Sequence, residues 1–238
     1  MAETDTETGT NAATDRIFVF QGGGALGAYQ AGAYEALHEN EVEPDWLAGI
    51  SIGAINAAII AGSPREKRIA NLRDFWNTVS SSLNFGWTAQ DNTLRRIQND
   101  AAAMAATAFG IPGFFSTRLV TPHQLLTNPD LRVSAYDTEP LMRTLERLVD
   151  FDLLNDCQTR LSLGAVDIRS GNFAYFDNRK TRLDARHVAA SGALPPGFPP
   201  IEIDGRHYWD GGLVSNTPLQ HVLNVNDASR DLEIFQVD

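Results

Sequence analysis

The chain has 238 residues, 43% of them hydrophobic and 21% charged, which is enough apolar chain to bury the core of one large domain. Its formal net charge is −11, so polyanion binding is disfavoured and there is no basic footprint for nucleic acid. The single cysteine, Cys157, excludes an intrachain disulfide and a cysteine metal cluster and fits a reducing, cytoplasmic setting, and no run reaches the ~18 apolar residues of a membrane span, so any lipid contact would be peripheral.

Residues 1–15 are rich in Thr, Ala and acidic side chains, with no basic or apolar leader region, so they read as a disordered tail preceding a domain over 16–238. The first strand is expected from Arg16 to Gln21. Gly22-Gly23-Gly24-Ala25-Leu26-Gly27 follows, and a helical period from Ala25 to Glu39 places Leu26, Tyr29, Ala33 and Leu37 on a buried face. A polar segment holding Pro44 leads to a second strand at Trp46 and then to Gly49-Ile50-Ser51-Ile52-Gly53-Ala54-Ile55. A buried strand that turns sharply at a serine into a buried helix is the pattern of a nucleophile elbow. Gly49 and Gly53 would let the backbone bend and its neighbours approach, and the start of the helix after Ser51 would favour an anion. An ordinary strand-to-helix turn accounts for the same residues. The β-α-β-α order favours an α/β fold with a mostly parallel sheet covered by helices.

The glycine loop carries two readings. Gly22, Gly24 and Gly27 satisfy the dinucleotide fingerprint, with Glu41 or Glu43 as the later ribose acid, which would make the chain a nucleotide-binding module. Alternatively, Gly22, Gly23 and Gly24 expose backbone N–H groups that form an oxyanion hole beside Ser51. The second strand favours the oxyanion reading, because its end holds the Ser51 elbow where a ribose acid would be expected. A glycine turn that only permits close helix packing stays open.

Farther along, Ser63-Pro64-Arg65-Glu66 reads as a capping box for a helix to about Val79, with Ile69, Leu72, Phe75 and Trp76 inward. Residues 80–130 are the least regular. Phe85-Gly86-Trp87, an Ala-rich run from Thr93 to Phe109 and Gly110-Ile111-Pro112-Gly113-Phe114-Phe115 suggest either a mobile apolar flap touching lipid or a buried helix and loop. Asp137 caps a helix from Thr138 to about Leu148, with Leu141, Leu145 and Val149 inward. Thr159 to Asp167 and Asn172 to Phe176 read as a hairpin around Ser170-Gly171. Asp184 opens a short helix ending near Ser191-Gly192. A proline-rich loop follows, then Ile201 to Ile203, an Asp204-Gly205 turn, and a return strand that delivers Asp210-Gly211-Gly212. Asn216-Thr217-Pro218 starts a helix, and Leu232 to Val237 is a last strand. The sequence stops directly after it, as a fragment of a longer protein would.

A serine needs a base. His123, His187, His207 and His221 follow the elbow, but none has a catalytic context, and His38 reads as a helix-end residue. The only lysines, Lys67 and Lys180, have no matching motif. Asp210 stands at a strand end, with Gly211 and Gly212 clearing space, although Asp-Gly-Gly alone also describes a simple turn.

Taken together, Gly22 to Gly27, Gly49-Ile50-Ser51-Ile52-Gly53, Ala190-Ser191-Gly192-Ala193-Leu194-Pro195 and Asp210-Gly211-Gly212 resemble, in order and spacing, the motifs of the patatin-like phospholipase family. The likeness spans roughly Ile17 to Val237 and is nearest to bacterial members that continue past the catalytic core. It implies a three-layer α/β/α fold and a Ser51–Asp210 dyad without histidine. It also implies hydrolysis of lipid acyl esters through an acyl-enzyme, with no metal or organic cofactor. One departure is Leu26, where the family commonly carries arginine. A triad hydrolase of the α/β-hydrolase type and a non-catalytic pseudoenzyme are the rivals.

Overall fold

The computed structural model describes residues 14–80, 110–118, 134–226 and 230–238. The chain opens with β1 (Thr14–Phe20), a 3-10 turn over Gly24–Leu26, α1 (Gly27–Glu39), β2 (Trp46–Ile50), α2 (Ile52–Ala61) and, after a second 3-10 turn, α3 (Arg68–Ser80). A small ribbon of β3 (Ser116–Thr117) and β4 (Tyr136–Asp137) precedes α4 (Glu139–Leu148) and α5 (Phe151–Asn155). Then come β5 (Arg160–Asp167), β6 (Phe173–Asp177), α6 (Ala185–Ser191), β7 (Ile201–Ile203), β8 (Arg206–Asp210), α7 (Leu219–Val225) and β9 (Asp231–Val237).

The main sheet has the order β7-β8-β5-β2-β1-β9, with β6 also on β5. Strands β9, β1, β2 and β5 are parallel, and β6, β8 and β7 are antiparallel additions. The expected mostly parallel α/β sheet is therefore present, with an antiparallel edge.

Successive crossovers from β1 to β2 and from β2 to β5 step the same way across the sheet. The right-handed rule puts their helices on one face. The burial agrees. Phe18, Phe20 and Leu47 share a core with Tyr34 of α1, Ile55 of α2, Phe75 of α3, Leu145 of α4 and Val188 of α6. The alternate residues Ile17, Val19, Trp46 and Ala48 point the other way, onto Val222 of α7. The helix on the return from β8 to β9, α7, thus lies on the opposite face.

Several local expectations need correcting. Strand β1 begins at Thr14, inside the segment expected to be tail. In α1 the buried positions are Gly27, Gln30 and Tyr34, while Leu26 and Tyr29 are 76% and 71% exposed. Tyr34 takes the core slot because its ring fits against Phe18 and its hydroxyl donates to Glu43 at 2.9 Å. Ser63 does not cap. It is buried and its hydroxyl accepts from Asn71 at 2.8 Å, so α3 starts at Arg68. Helix α5, capped by Asp150, had no place in the sequence reading. Of residues 80–130, the Phe85-Gly86-Trp87 and Thr93–Phe109 stretches lie outside the described residues. Phe115 packs on Phe198 and Tyr136, with ring centroids 5.3 and 4.6 Å away.

Candidate active site

The site arises where two strand ends meet along one edge of β5. Strand β2 pairs with β5 as far as Ile50 opposite Gly164. Strand β8 pairs with β5 from Tyr208 opposite Asp167 to Asp210 opposite Ala165. Ala165 also faces Ala174 of β6, so β6 holds the other edge and β8 shares the edge of β2. Running in opposite directions, β2 and β8 thus end head to head, and the residues at their tips are Ser51 and Asp210. The Ser51 hydroxyl donates to Asp210 Oδ2 at 2.7 Å.

The elbow is built from close backbone packing. Ser51 has φ 56° and ψ −124°, a conformation rare outside glycine and characteristic of strained functional turns. A Cβ on Gly49 would stand 2.5 Å from the Gly53 carbonyl oxygen, and one on Gly53 would overlap the Phe20 carbonyl. Helix α2 behind the turn is buried at every position, as expected. On the other side, a Cβ on Gly211 would lie 2.6 Å from the Gly164 carbonyl oxygen, so Gly211 lets the chain cross the junction.

Asp210 is 3% exposed. Its Oδ1 accepts from the Gly212 N–H at 2.7 Å, and its own N–H donates to the Ala193 carbonyl at 3.0 Å. Burial raises its pKa above the ordinary aspartate value, outweighing the Ser51 and Gly212 hydrogen bonds that pull it down. That is the direction a base needs.

Ser191 fills the gap between the two strand ends. It is fully buried; its hydroxyl donates to the Gly164 carbonyl at 2.6 Å and accepts from the Ser51 N–H at 3.0 Å. The sequence reading placed Ser191 at a helix end and within a family stretch but gave it no role, because no local pattern marks a partner this distant in sequence. Ser191→Ala would strand one buried donor and one buried acceptor, for a loss of about 1–3 kcal/mol. A thermal melt checks this: the midpoint should fall by about 2–4 °C per kcal/mol, without loss of cooperativity.

The glycine loop lies beside the serine. A Cβ on Gly22 would come within 3.1 Å of Ser51 Cβ. Its N–H, however, donates to the Asn216 carbonyl at 3.0 Å, which takes Gly22 out of the set of free donors. Gly23 and Gly24 are exposed, and their N–H groups make no hydrogen bond among the described residues.

The other candidate bases sit elsewhere. His187 is buried against Phe176 and accepts from the Asp184 N–H in the cap of α6. His207 is exposed near Glu202. His221 stacks on Tyr175 at 3.5 Å, on the α7 face of the sheet, where burial lowers its pKa to about 4. His38 bonds to Glu43, and His123 lies outside the described residues. Lys67 is in the turn before α3, and Lys180 follows β6. The ribose-acid candidates do not face the loop either. Glu41 occupies a turn with φ 59°, and Glu43 pairs with Arg65 and Arg68.

Comparison with known proteins bears on this geometry. A family model described as patatin-like phospholipase matches residues 18–223. A putative patatin-like phospholipase domain-containing protein of Caenorhabditis elegans is 43% identical over 58 residues, 24% of this chain and 5% of that protein. Among solved structures, VipD from Legionella pneumophila superposes with a TM-score of 0.53 at 17% identity, covering 94% of this chain and 50% of that one. ExoU, in its heterodimeric complex with SpcU from the type III secretion system of Pseudomonas aeruginosa, gives a TM-score of 0.43 at 19% identity. It covers 94% of this chain and 43% of the other. The chain thus spans half or less of each of these proteins.

Proposed function

Because the chain belongs to the patatin-like phospholipase family, we propose that it is a serine hydrolase of lipid carboxylic esters, of the phospholipase A or lysophospholipase type, working through a Ser51–Asp210 dyad. The observation that carries this reading is the 2.7 Å hydrogen bond from the Ser51 hydroxyl to the buried Asp210 carboxylate. As Ser51 Oγ attacks the ester carbonyl, Asp210 Oδ2 takes its proton, and the alcohol leaves with that proton. A water that Asp210 deprotonates then attacks the acyl-Ser51 ester, Asp210 returns that proton to Ser51 Oγ as its bond to the acyl carbon breaks, and the acid is released. The Gly23 and Gly24 N–H groups hold the oxyanion, together with the start of α2. A donor of this kind is worth about 3–4 kcal/mol in the transition state.

A lipid substrate fits the surroundings. Leu26 is part of the glycine loop, Leu213 and Val214 closely follow Asp210, Leu194 follows Ala193, whose carbonyl accepts from the Asp210 N–H, and all four are exposed. That is an apolar rim for an acyl chain rather than for a charged solute. Among the described residues no helix is long and apolar enough to cross a membrane.

The direct test is labelling with a fluorophosphonate probe followed by peptide mapping. Labelling should fall on Ser51. An unlabelled, folded protein that binds NAD would overturn the reading in favour of a nucleotide module.

The pH dependence follows from the base. Only ionised Asp210 can take the proton, so the rate rises with pH through one acidic ionisation. Burial places that ionisation above the ordinary aspartate range. No limb contributed by a histidine is expected. A pH–rate profile of wild type and of His187, His207 and His221 variants checks this. Loss of the acidic limb in a folded histidine variant would count against Asp210 as the base.

A further inference from the structure

Between the glycine loop and the segment after Asp210 the chain makes a clasp. Asn216 Nδ2 donates to the Gly22 carbonyl at 2.8 Å, while the Gly22 N–H donates to the Asn216 carbonyl at 3.0 Å. One residue on, Thr217 Oγ1 donates to Gln21 Oε1 at 2.8 Å. The Gln21 carbonyl accepts from the buried Gln30 at 2.7 Å. The Asn216 carboxamide lies so close to Gly22 that a Cβ there would overlap its oxygen. The same oxygen lies 3.0 Å from where a Gly212 Cβ would stand, and Gly212 is the donor to Asp210 Oδ1. One side chain therefore touches both the loop of candidate oxyanion donors and the turn that holds the candidate base.

The peptide unit involved gives this clasp a specific consequence. The Gly22 carbonyl and the Gly23 N–H belong to one planar trans group and point in opposite directions. A peptide flanked by two glycines flips more easily than any other, because neither side has a Cβ to resist it. A hydrogen bond on its carbonyl opposes the flip and also polarises the N–H at the other end.

We propose that Asn216 is a positioning residue, which locks the Gly22–Gly23 peptide so that the Gly23 N–H faces the oxyanion formed at Ser51. This rests on the acyl-hydrolase reading. Asn216 touches no reacting atom; it acts through the peptide it holds.

The test compares wild type, Asn216→Ala and Asn216→Asp in a full-length protein, using fluorophosphonate labelling rates and steady-state hydrolysis of a p-nitrophenyl ester. The alanine variant lacks the donor. The aspartate keeps the shape but offers the Gly22 carbonyl an oxygen instead of an N–H. Both should lower kcat and the labelling rate about 10- to 100-fold, less than outright loss of an oxyanion donor because the Gly23 N–H is loosened rather than deleted, with KM within about twofold. In the alanine variant the acidic limb of the pH profile should stay in place, because both hydrogen bonds of Asp210 survive. A merely structural role would not separate kcat from KM in this way. Wild-type kcat in either variant overturns the inference, as does a loss carried by KM or an alanine variant whose acidic limb moves. A wild-type protein that does not label at all overturns the hydrolase reading and this inference with it. Labelling of wild type and Asn216→Ala at equal rates overturns this inference alone.

Discussion

Asp210→Asn is expected to lower ester hydrolysis by about 10²- to 10⁴-fold, the range that a general base contributes, while leaving the protein folded and no less resistant to heat. The asparagine keeps the shape. Its oxygen can still accept from the Gly212 N–H, which bonds to Asp210 Oδ1 at 2.7 Å, and its amide can donate to Ser51 Oγ. What is lost is the ability to take a proton. Ser51→Ala should cost more, towards the ~10⁶-fold seen when a catalytic nucleophile is deleted.

The stability half of this expectation follows from linkage. Burial raises the Asp210 pKa above its unfolded value, so the native state holds the proton more tightly than the unfolded chain does. Such a group contributes most stability at low pH and loses it as pH rises from the unfolded towards the folded pKa. At neutral pH the buried carboxylate is a net cost, which a neutral asparagine removes. Melting curves at pH 7 should therefore show an unchanged or higher midpoint in Asp210→Asn, with hydrolysis assayed on the same samples. An inactive variant with a sharply lower midpoint would mean that Asp210 holds the junction together rather than serving as its base.

Much of this was legible in the sequence because the chemistry is local. Gly49, Ser51 and Gly53 describe their own turn, and Asp210 is followed by the glycines that make room for it. The parallel pairing of β1 with β2 also follows from a short βα connection of fixed hand. Three features were not legible, each for a physical reason. The head-to-head meeting of β2 and β8 depends on β6 taking the far edge of β5, a choice between two equivalent edges that no local pattern encodes. The removal of Gly22 from the donor set depends on Asn216, a contact spanning 194 residues. Leu37 packs on the core as expected, but Leu26 and Tyr29 were wrongly placed inward because Gln30, a polar side chain, is buried instead. It is satisfied by Asn56 and by the Gln21 carbonyl, and a hydrophobic period cannot count it.

Gly53→Ala should have the largest effect of any single-methyl addition to the scaffold. The added Cβ would overlap the Phe20 carbonyl and lie 2.8 Å from that of Gln21. Both obstacles are backbone, at the end of β1, which is locked between the ladders of β2 and β9. Nothing can rotate out of the way, so α2 must lift from the sheet. The elbow resists that movement as well, since Gly49 packs on the Gly53 carbonyl with no room for a methyl group. Overpacking of this kind costs about 1–3 kcal/mol, and the absence of a flexible side chain at the contact places this case at the upper end. The catalytic cost should be larger than the loss of stability suggests. Ser51 sits at the start of α2, and a displacement of about 1 Å in a reacting group can cost 10²-fold in rate. Gly32→Ala, in α1, provides the contrast, because its Cβ would meet nothing within 4 Å. Calorimetry and phosphonate labelling of the two variants side by side decide the matter. If Gly53→Ala melts and labels like wild type, then α2 has slack against β1, and the tight elbow cannot be what fixes the direction of the serine.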